Sequence, residues 1–435
     1  MENKILIKDG RLIDPASGTD RVGSILIESG KIMAVSEQIC SSDAAVIDAT
    51  GYVVAPGLMD VHVHFRDPGL TQKETLETGC SAAAAGGFTT VVTMANTVPV
   101  PDSVDILDAY VSRLPELPVH VIPCASVTMG MEGKQLADMD RLKEAGAMGF
   151  SDDGKPILDP ELLRRALEKA ASLGAVVSLH EEDPRMASLL GIHEGAVAEK
   201  LGLSGAPSCA ESSMIARDCA ISLCTGLPIH IQHVSASESV KIIRFFKGLG
   251  AKITAEATPQ HFSLTEEAIL TKGSLAKLNP PLRTEKDRCA VIEGLKDGTI
   301  DMIATDHAPH TESEKKRDFR DAPSGMIGLE TALALGITNL VRSGVLSLSD
   351  LIGKMSLAPA ELYRLNSGRL ESGRTADLVV FDPEERWVVP PEFHSKSSDS
   401  PFIGEELYGK VKMTICEGKI VYSDLAQMED KHELA

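Results

Sequence analysis

Asp60-Val61-His62-Val63-His64-Phe65-Arg66-Asp67-Pro68-Gly69 places two histidines in i, i+2 register at the close of a short apolar run. On a strand that spacing turns both side chains to one side, where they can share a ligand. The preceding Gly51-Tyr52-Val53-Val54-Ala55-Pro56-Gly57-Leu58-Met59 is apolar and punctuated by Pro and Gly, so the pair is expected where a buried strand emerges. Three more apolar runs end in the same kind of residue: Ser178-Leu179-His180, Ile229-His230-Ile231-Gln232-His233 and Met302-Ile303-Ala304-Thr305-Asp306. A single half-buried strand histidine is usually a packing residue. Four strand ends bearing imidazole or carboxylate are better explained by a metal centre, and nitrogen and oxygen donors without thiolate point to zinc or a similar divalent ion in an open, catalytic site.

Outward from these strand ends, residues 56–365 alternate short apolar runs with longer helical patterns. The runs at 58–64, 89–95, 119–124, 147–151, 175–180, 228–233, 252–257 and 301–305 number eight, as a (β/α)8 TIM-like barrel requires. Between them, 74–85 is rich in Ala, with Glu, Thr and Leu, and stops at Gly86-Gly87, while 160–172 opens on Pro160 and carries Leu162, Leu163, Ala166, Leu167 and Ala170 on one face. The stretches 287–296 and 328–341 read as helices too. The chain ends differ from this middle and are like one another. Short Gly-turned strands around Ile5-Leu6-Ile7 and Ser24-Ile25-Leu26-Ile27 are answered by Leu378-Val379-Val380-Phe381 and Val411-Lys412-Met413-Thr414-Ile415. The expected architecture is α/β, with a barrel over 56–365 inserted into a small composite β-sandwich domain made by 1–55 and by 366–435 with its tail.

Composition narrows the function classes. Among 435 residues, 63 acidic side chains against 43 basic ones give a net charge of −20, which argues against nucleic-acid or anionic-membrane partners. A small anionic substrate is compatible with it, because local Arg and metal charge outweigh distant carboxylates. The segment Met1-Glu2-Asn3-Lys4-Ile5-Leu6-Ile7-Lys8-Asp9-Gly10 has no long apolar core, so no secretory signal is expected, and no apolar run reaches the length of a membrane span. Eight cysteines without a Cys-x-x-Cys pair fit a reduced, cytoplasmic setting.

In a barrel of this kind the site lies at the carboxyl ends of the strands, which brings His62 and His64, His180, His233 and Asp306 to one mouth. The fourth strand ends in Phe150-Ser151-Asp152-Asp153-Gly154, where only one of the two carboxylates can readily face inward. Either this is a plain turn, or Asp153 ligates or bridges metal. Arg66 offers a planar fork of donors suited to a carboxylate, and with Asn96, Asn279 and His310 it suggests a polar pocket for a small anionic amide. The other histidines fall outside this set, and His120 and His230 read as strand or packing residues.

Taken together, the run from Asp60 to Gly69, Met94-Ala95-Asn96-Thr97, Phe150-Ser151-Asp152-Asp153-Gly154, Ala304-Thr305-Asp306-His307-Ala308-Pro309-His310 and Ala376-Asp377-Leu378-Val379 resemble the dihydroorotases of the long bacterial type, in the amidohydrolase superfamily. The resemblance spans essentially the whole chain. It implies reversible, zinc-dependent hydrolysis of L-dihydroorotate to N-carbamoyl-L-aspartate in de novo pyrimidine synthesis, with one or two Zn2+ per subunit. It assigns His62, His64 and Asp306 to a first ion, His180 and His233 to a second, and Asp153 between or beside them. Asp306 would also shuttle the proton, while His64, Arg66, Asn96, Asn279 and His310 would contact the substrate. Residues 311–324 resemble the mobile lid of such enzymes, and Ser324-Gly325 stands where Phe-Gly is common, as a further expected substrate contact.

Hydantoinases, dihydropyrimidinases and allantoinases share the histidines but typically carry a carboxylated lysine at the fourth strand end; here Lys155 lies beyond the Gly. A silent scaffold for aspartate transcarbamoylase would have lost ligands, and every expected ligand is present. The partners expected are a small-molecule substrate, a second copy in a homodimer, and aspartate transcarbamoylase.

Overall fold

β-Branched and apolar runs pack well on a pleated surface, and here they build two sheets. A computed structural model describes residues 4–186 and 190–425; the tail 426–435, with His432, lies outside the described residues. The amino-terminal strands are β1 (Lys4–Asp14), β2 (Thr19–Glu28), β3 (Lys31–Ser36), β4 (Ala45–Asp48) and β5 (Val53–Pro56). The barrel strands follow as β6 (Leu58–Val63), β7 (Phe88–Thr93), β8 (His120–Ala125), β9 (Gly149–Phe150), β10 (Val176–Leu179), β11 (Ile229–Ile231), β12 (Ile253–Ala257) and β13 (Met302–Ile303). Each falls within or beside one of the eight apolar runs. β14 (Leu378–Val388), β15 (Glu406–Cys416) and β16 (Lys419–Ser423) complete the chain.

The barrel strands pair in parallel in chain order from β6 to β13. The last strand is latched to the first by Val63 bridging His307, by the His64 amide donating to His307 O at 2.8 Å, and by the buried Asp60 carboxylate accepting the Thr305 N–H at 3.1 Å. Closure thus depends on residues just past the short β13, at the rim where the site forms. Met59, Val61, Val92, Met94, Ile122 and Met302 fill the interior with Tyr363.

The helices obey their caps. Pro160–Ser172 starts after Asp159, whose carboxylate accepts the Glu161 and Leu162 amides, and it buries the five residues expected of its apolar face. The first barrel helix runs Leu76–Ala85, starting later than expected, because Thr75 and Thr78 form a reciprocal cap. Glu74 is left outside it, fully buried, where it accepts the Lys396 amide and meets His307 Nε2 at 3.3 Å. The stretch 328–341 is one helical run, tightly wound at Leu329–Thr331, regular over Ala332–Gly336 and widened at Ile337–Val341.

The two chain ends join in one eight-stranded sheet, ordered β16-β15-β14-β5-β1-β2-β3 with β4 on β1, around its own core of Ile7, Leu12, Ile25, Ile27, Val380 and Ile415. The join is β5 against β14, Leu378 opposite Pro56 and Val380 opposite Val54. The next residue, Gly57, gives its N–H to Asp377 O and leads directly into β6, so the sheet hands the chain to the barrel without a linker.

Candidate metal centre and substrate pocket

Four imidazoles from three strand ends converge on one carboxylate. Asp153 Oδ1 lies 3.5 Å from His62 Nε2, 3.4 Å from His180 Nδ1 and 3.6 Å from His233 Nε2, and its Oδ2 is 3.4 Å from His64 Nε2. Asp306 Oδ1 adds contacts of 2.9 Å to His64 Nε2 and 3.6 Å to His62 Nε2. All six side chains are buried. The two ligand groupings, His62 with His64 and Asp153, and His180 with His233 and Asp153, share Asp153. Its neighbour Asp152 faces away, its carboxylate accepting the Val127 and Thr128 amides and the Thr128 hydroxyl. Of the paired carboxylates, one therefore holds the loop and the other enters the site.

Hydrogen bonds behind the histidines fix which nitrogen faces in. His62 Nδ1 donates to Glu256 Oε1 at 2.7 Å and His64 Nδ1 to Asn96 Oδ1 at 2.8 Å, which leaves each Nε2 with its lone pair toward Asp153 and Asp306. His62 Nε2 and Asp153 Oδ1 are buried without a hydrogen-bond partner among the described residues, a costly state for polar atoms. His180 Nδ1 and His233 Nε2 stand 2.9 Å apart beside the same carboxylate. Lone pairs crowded around an orphaned oxygen are what a divalent cation satisfies, so the donor set fits a metal. Although burial opposes it, the surrounding histidines hold Asp153 well below the usual carboxylate range, and His62 and His64 lower Asp306.

Strand order did not reveal Glu256. Fully buried on β12, it holds His62 through Oε1 and His230 Nε2 at 3.0 Å through Oε2, and it accepts the His233 amide. The signal was a lone carboxylate inside Ile253-Thr254-Ala255-Glu256-Ala257, since a buried charge needs partners. His230 is accordingly a strand residue that packs against this carboxylate. We expect Glu256→Gln to weaken metal retention or turnover by about 10- to 100-fold through lost orientation of His62. Competition with a chelator measures it, and wild-type metal retention with wild-type turnover would remove the orienting role from Glu256.

Beside the cluster opens a cavity of about 170 Å3, bounded by His64, Arg66, Asn96, Asn279, Ser324 and Gly325 and floored by Asp153, His180, His233 and Asp306. The buried Glu182, 3.8 Å from His180 Nε2, also lines it and was missed in the acidic run after His180. Arg66 is anchored by Nε–H to Pro309 O at 3.2 Å. His310 is not among the residues lining this cavity; it stands behind Arg66 and Gly325. Its Nδ1 accepts from Lys73 Nζ at 3.0 Å and its Nε2 donates to Ser324 O at 2.8 Å. Burial together with Arg66, Lys73 and Lys315 pushes His310 down to about 2, so this ring is neutral. A Cβ on Gly325, at φ +129°, would meet Ala308 O at 2.8 Å and His310 Nε2 at 2.9 Å, so only glycine lets this loop close on the pocket.

The charged segment 311–324 is stitched down over that wall. Lys315, charged in sequence yet 4% exposed, donates to Pro323 O and Gly325 O, and Lys277 donates to Phe319 O at 2.6 Å. Arg66, His233 and Asp306 all adopt positive φ, 58°, 31° and 50°. Such backbone costs on the order of 1–3 kcal/mol per residue and persists where surrounding structure dictates it.

A family model described as dihydro-orotase-like matches residues 51–239, and one described as amidohydrolase family matches 323–422. The chain is 53% identical to a dihydroorotase of Lactococcus lactis subsp. lactis over 96% of its own length and 99% of the relative's. It is likewise 53% identical to a dihydroorotase of Clostridioides difficile, over 96% and 100% of the two chains. Among solved structures, a dihydropyrimidinase from Brevibacillus agri superposes with a TM-score of 0.85 at 24% identity, covering 97% of this chain and 95% of that one. An L-hydantoinase from Arthrobacter aurescens gives 0.85 at 26%, covering 97% and 96%.

Proposed function

Since this chain belongs to the dihydroorotase family, we propose that its pocket carries out the reversible hydrolysis of L-dihydroorotate to N-carbamoyl-L-aspartate, a step of pyrimidine synthesis. The observation that carries the reading is Asp153: a carboxylate stands between the two histidine pairs where the hydantoinase-type reading requires a carboxylated lysine. The chain is a metal-dependent cyclic amide hydrolase. In our reading the metal is zinc, one or two ions per subunit, held by His62, His64 and Asp306 and by His180 and His233, with Asp153 shared. When bound, such an ion polarises the ring carbonyl and acidifies water.

The chain's own residues supply the rest. Arg66 and Asn96 take the substrate carboxylate, with Asn279, Ser324 and Gly325 along the ring, which fixes the scissile amide against Asp306. Asp306 accepts the proton of the attacking water; as the ring C–N bond breaks, it returns that proton to the leaving nitrogen. Glu256, Asn96 and His310 hold orientation, His310 by donating to Ser324 O. The reading also includes a homodimer, a site of association with aspartate transcarbamoylase, and a cytoplasmic location. No helix among the described residues is long and apolar enough to cross a membrane. Phe245 and Leu249, i and i+4 and 62% and 54% exposed, offer apolar surface for a partner.

The test is turnover of L-dihydroorotate by wild type and by Arg66→Met. Removing one partner of a charge-assisted pair costs about 2 to 5 kcal/mol, so the variant should keep its metal while using dihydroorotate far less well. Uncharged cyclic amides should be affected much less. Equal losses on both substrate types would remove the carboxylate-binding role, and absence of wild-type turnover with metal bound would remove the assignment.

A further inference from the structure

At the opposite end of the barrel, where β8 begins, a second set of metal-type donors meets from three separate chain segments. His120 opens β8, Asp377 immediately precedes β14, and Cys416 closes β15. Their ligand atoms lie within 4.8 Å of one another. His120 Nε2 is 3.2 Å from Asp377 Oδ2, while Asp377 Oδ1 is occupied by the Glu417 amide at 2.8 Å, which aims Oδ2 at the imidazole. Cys416 is buried and makes a long thiol contact of 3.8 Å to Thr89 O.

We propose that His120, Asp377 and Cys416 form a second, structural site for a thiophilic divalent cation such as zinc, which clamps the composite sheet to the foot of the barrel. An ion pair would account for His120 and Asp377, but a buried thiol beside both completes an N, O, S donor set of the kind zinc takes. Bonds of about 2.0 to 2.3 Å in tetrahedral array put donors roughly 3.3 to 3.8 Å apart, so the His120 to Asp377 spacing needs little adjustment. The His120 side chain is 37% exposed, which opens a route for the ion and a fourth position for water. On ligation the Cys416 thiol proton leaves to solvent and the thiolate binds. Strand rise puts the site on the order of 20 Å from the mouth, so the clamp acts on domain docking and takes no part in the chemistry.

Cobalt distinguishes the two centres, because the catalytic donors are nitrogen and oxygen and only a thiolate gives near-ultraviolet charge transfer to cobalt. Metal-free protein titrated with Co2+ should develop that absorption and take up one equivalent more than Cys416→Ser. The band should vanish in Cys416→Ser and weaken in His120→Ala, while both variants, loaded at the catalytic centre, turn over as wild type does. A wild-type titration without the band overturns the proposal, as does a band that survives in Cys416→Ser or is untouched in His120→Ala.

Discussion

Replacing His62 by alanine should leave a folded protein that retains less metal and turns over no substrate above background, and His64→Ala should do the same. Each histidine presents one nitrogen to the cluster, so each substitution removes a protein ligand from a site that has few. In His62→Ala the Glu256 carboxylate also loses its 2.7 Å partner inside the barrel and keeps His230 and the His233 amide. A buried charge that loses a partner is destabilising, so the variant's melting temperature should fall while its secondary structure persists. Metal analysis of the purified variants beside a dihydroorotate assay checks this. Full activity with wild-type metal content would refute the ligand assignment.

Asp306→Asn separates two duties that wild-type Asp306 combines. The amide keeps the shape and an oxygen that can still approach a cation, but a neutral amide cannot accept a proton from water at working pH. Turnover should fall by about two to four orders of magnitude in both hydrolysis and cyclisation, the usual size of a general acid-base contribution. Substrate affinity should survive, because Arg66, Asn96 and Asn279 lie on the same cavity and are untouched. Single-turnover rates and equilibrium binding of dihydroorotate measure the two halves. A near-normal rate would transfer proton movement to another group. His310 is poorly placed to take it, as both its ring nitrogens already have protein partners.

The strand ends were legible because histidine and aspartate at the close of apolar runs are out of place unless something binds them. All eight barrel strands could be read as well, from short apolar runs alternating with helical patterns. Other features carried no local signal. Asp152 and Asp153 are chemically alike, and only the backbone amides of Val127 and Thr128 decide which one turns away. Lys315 sits in a run that reads as solvated, and its burial follows from carbonyls at Pro323 and Gly325 that the fold delivers. Glu256 was visible in principle, as a charge in a strand that must be covered on both faces.

The pairing of β5 with β14 sets a timetable. Pro56 leaves the ribosome about 320 residues before Leu378, its partner across the sheet. At 5–20 residues per second this is roughly 15 to 65 s, during which one edge of β5 has nothing to bond. An open edge invites pairing with another nascent chain. The barrel can begin to assemble in that interval, yet the platform carrying its first strand stays unfinished until the last part of the message is read, so crowded polysomes are where this protein is most exposed to misassembly.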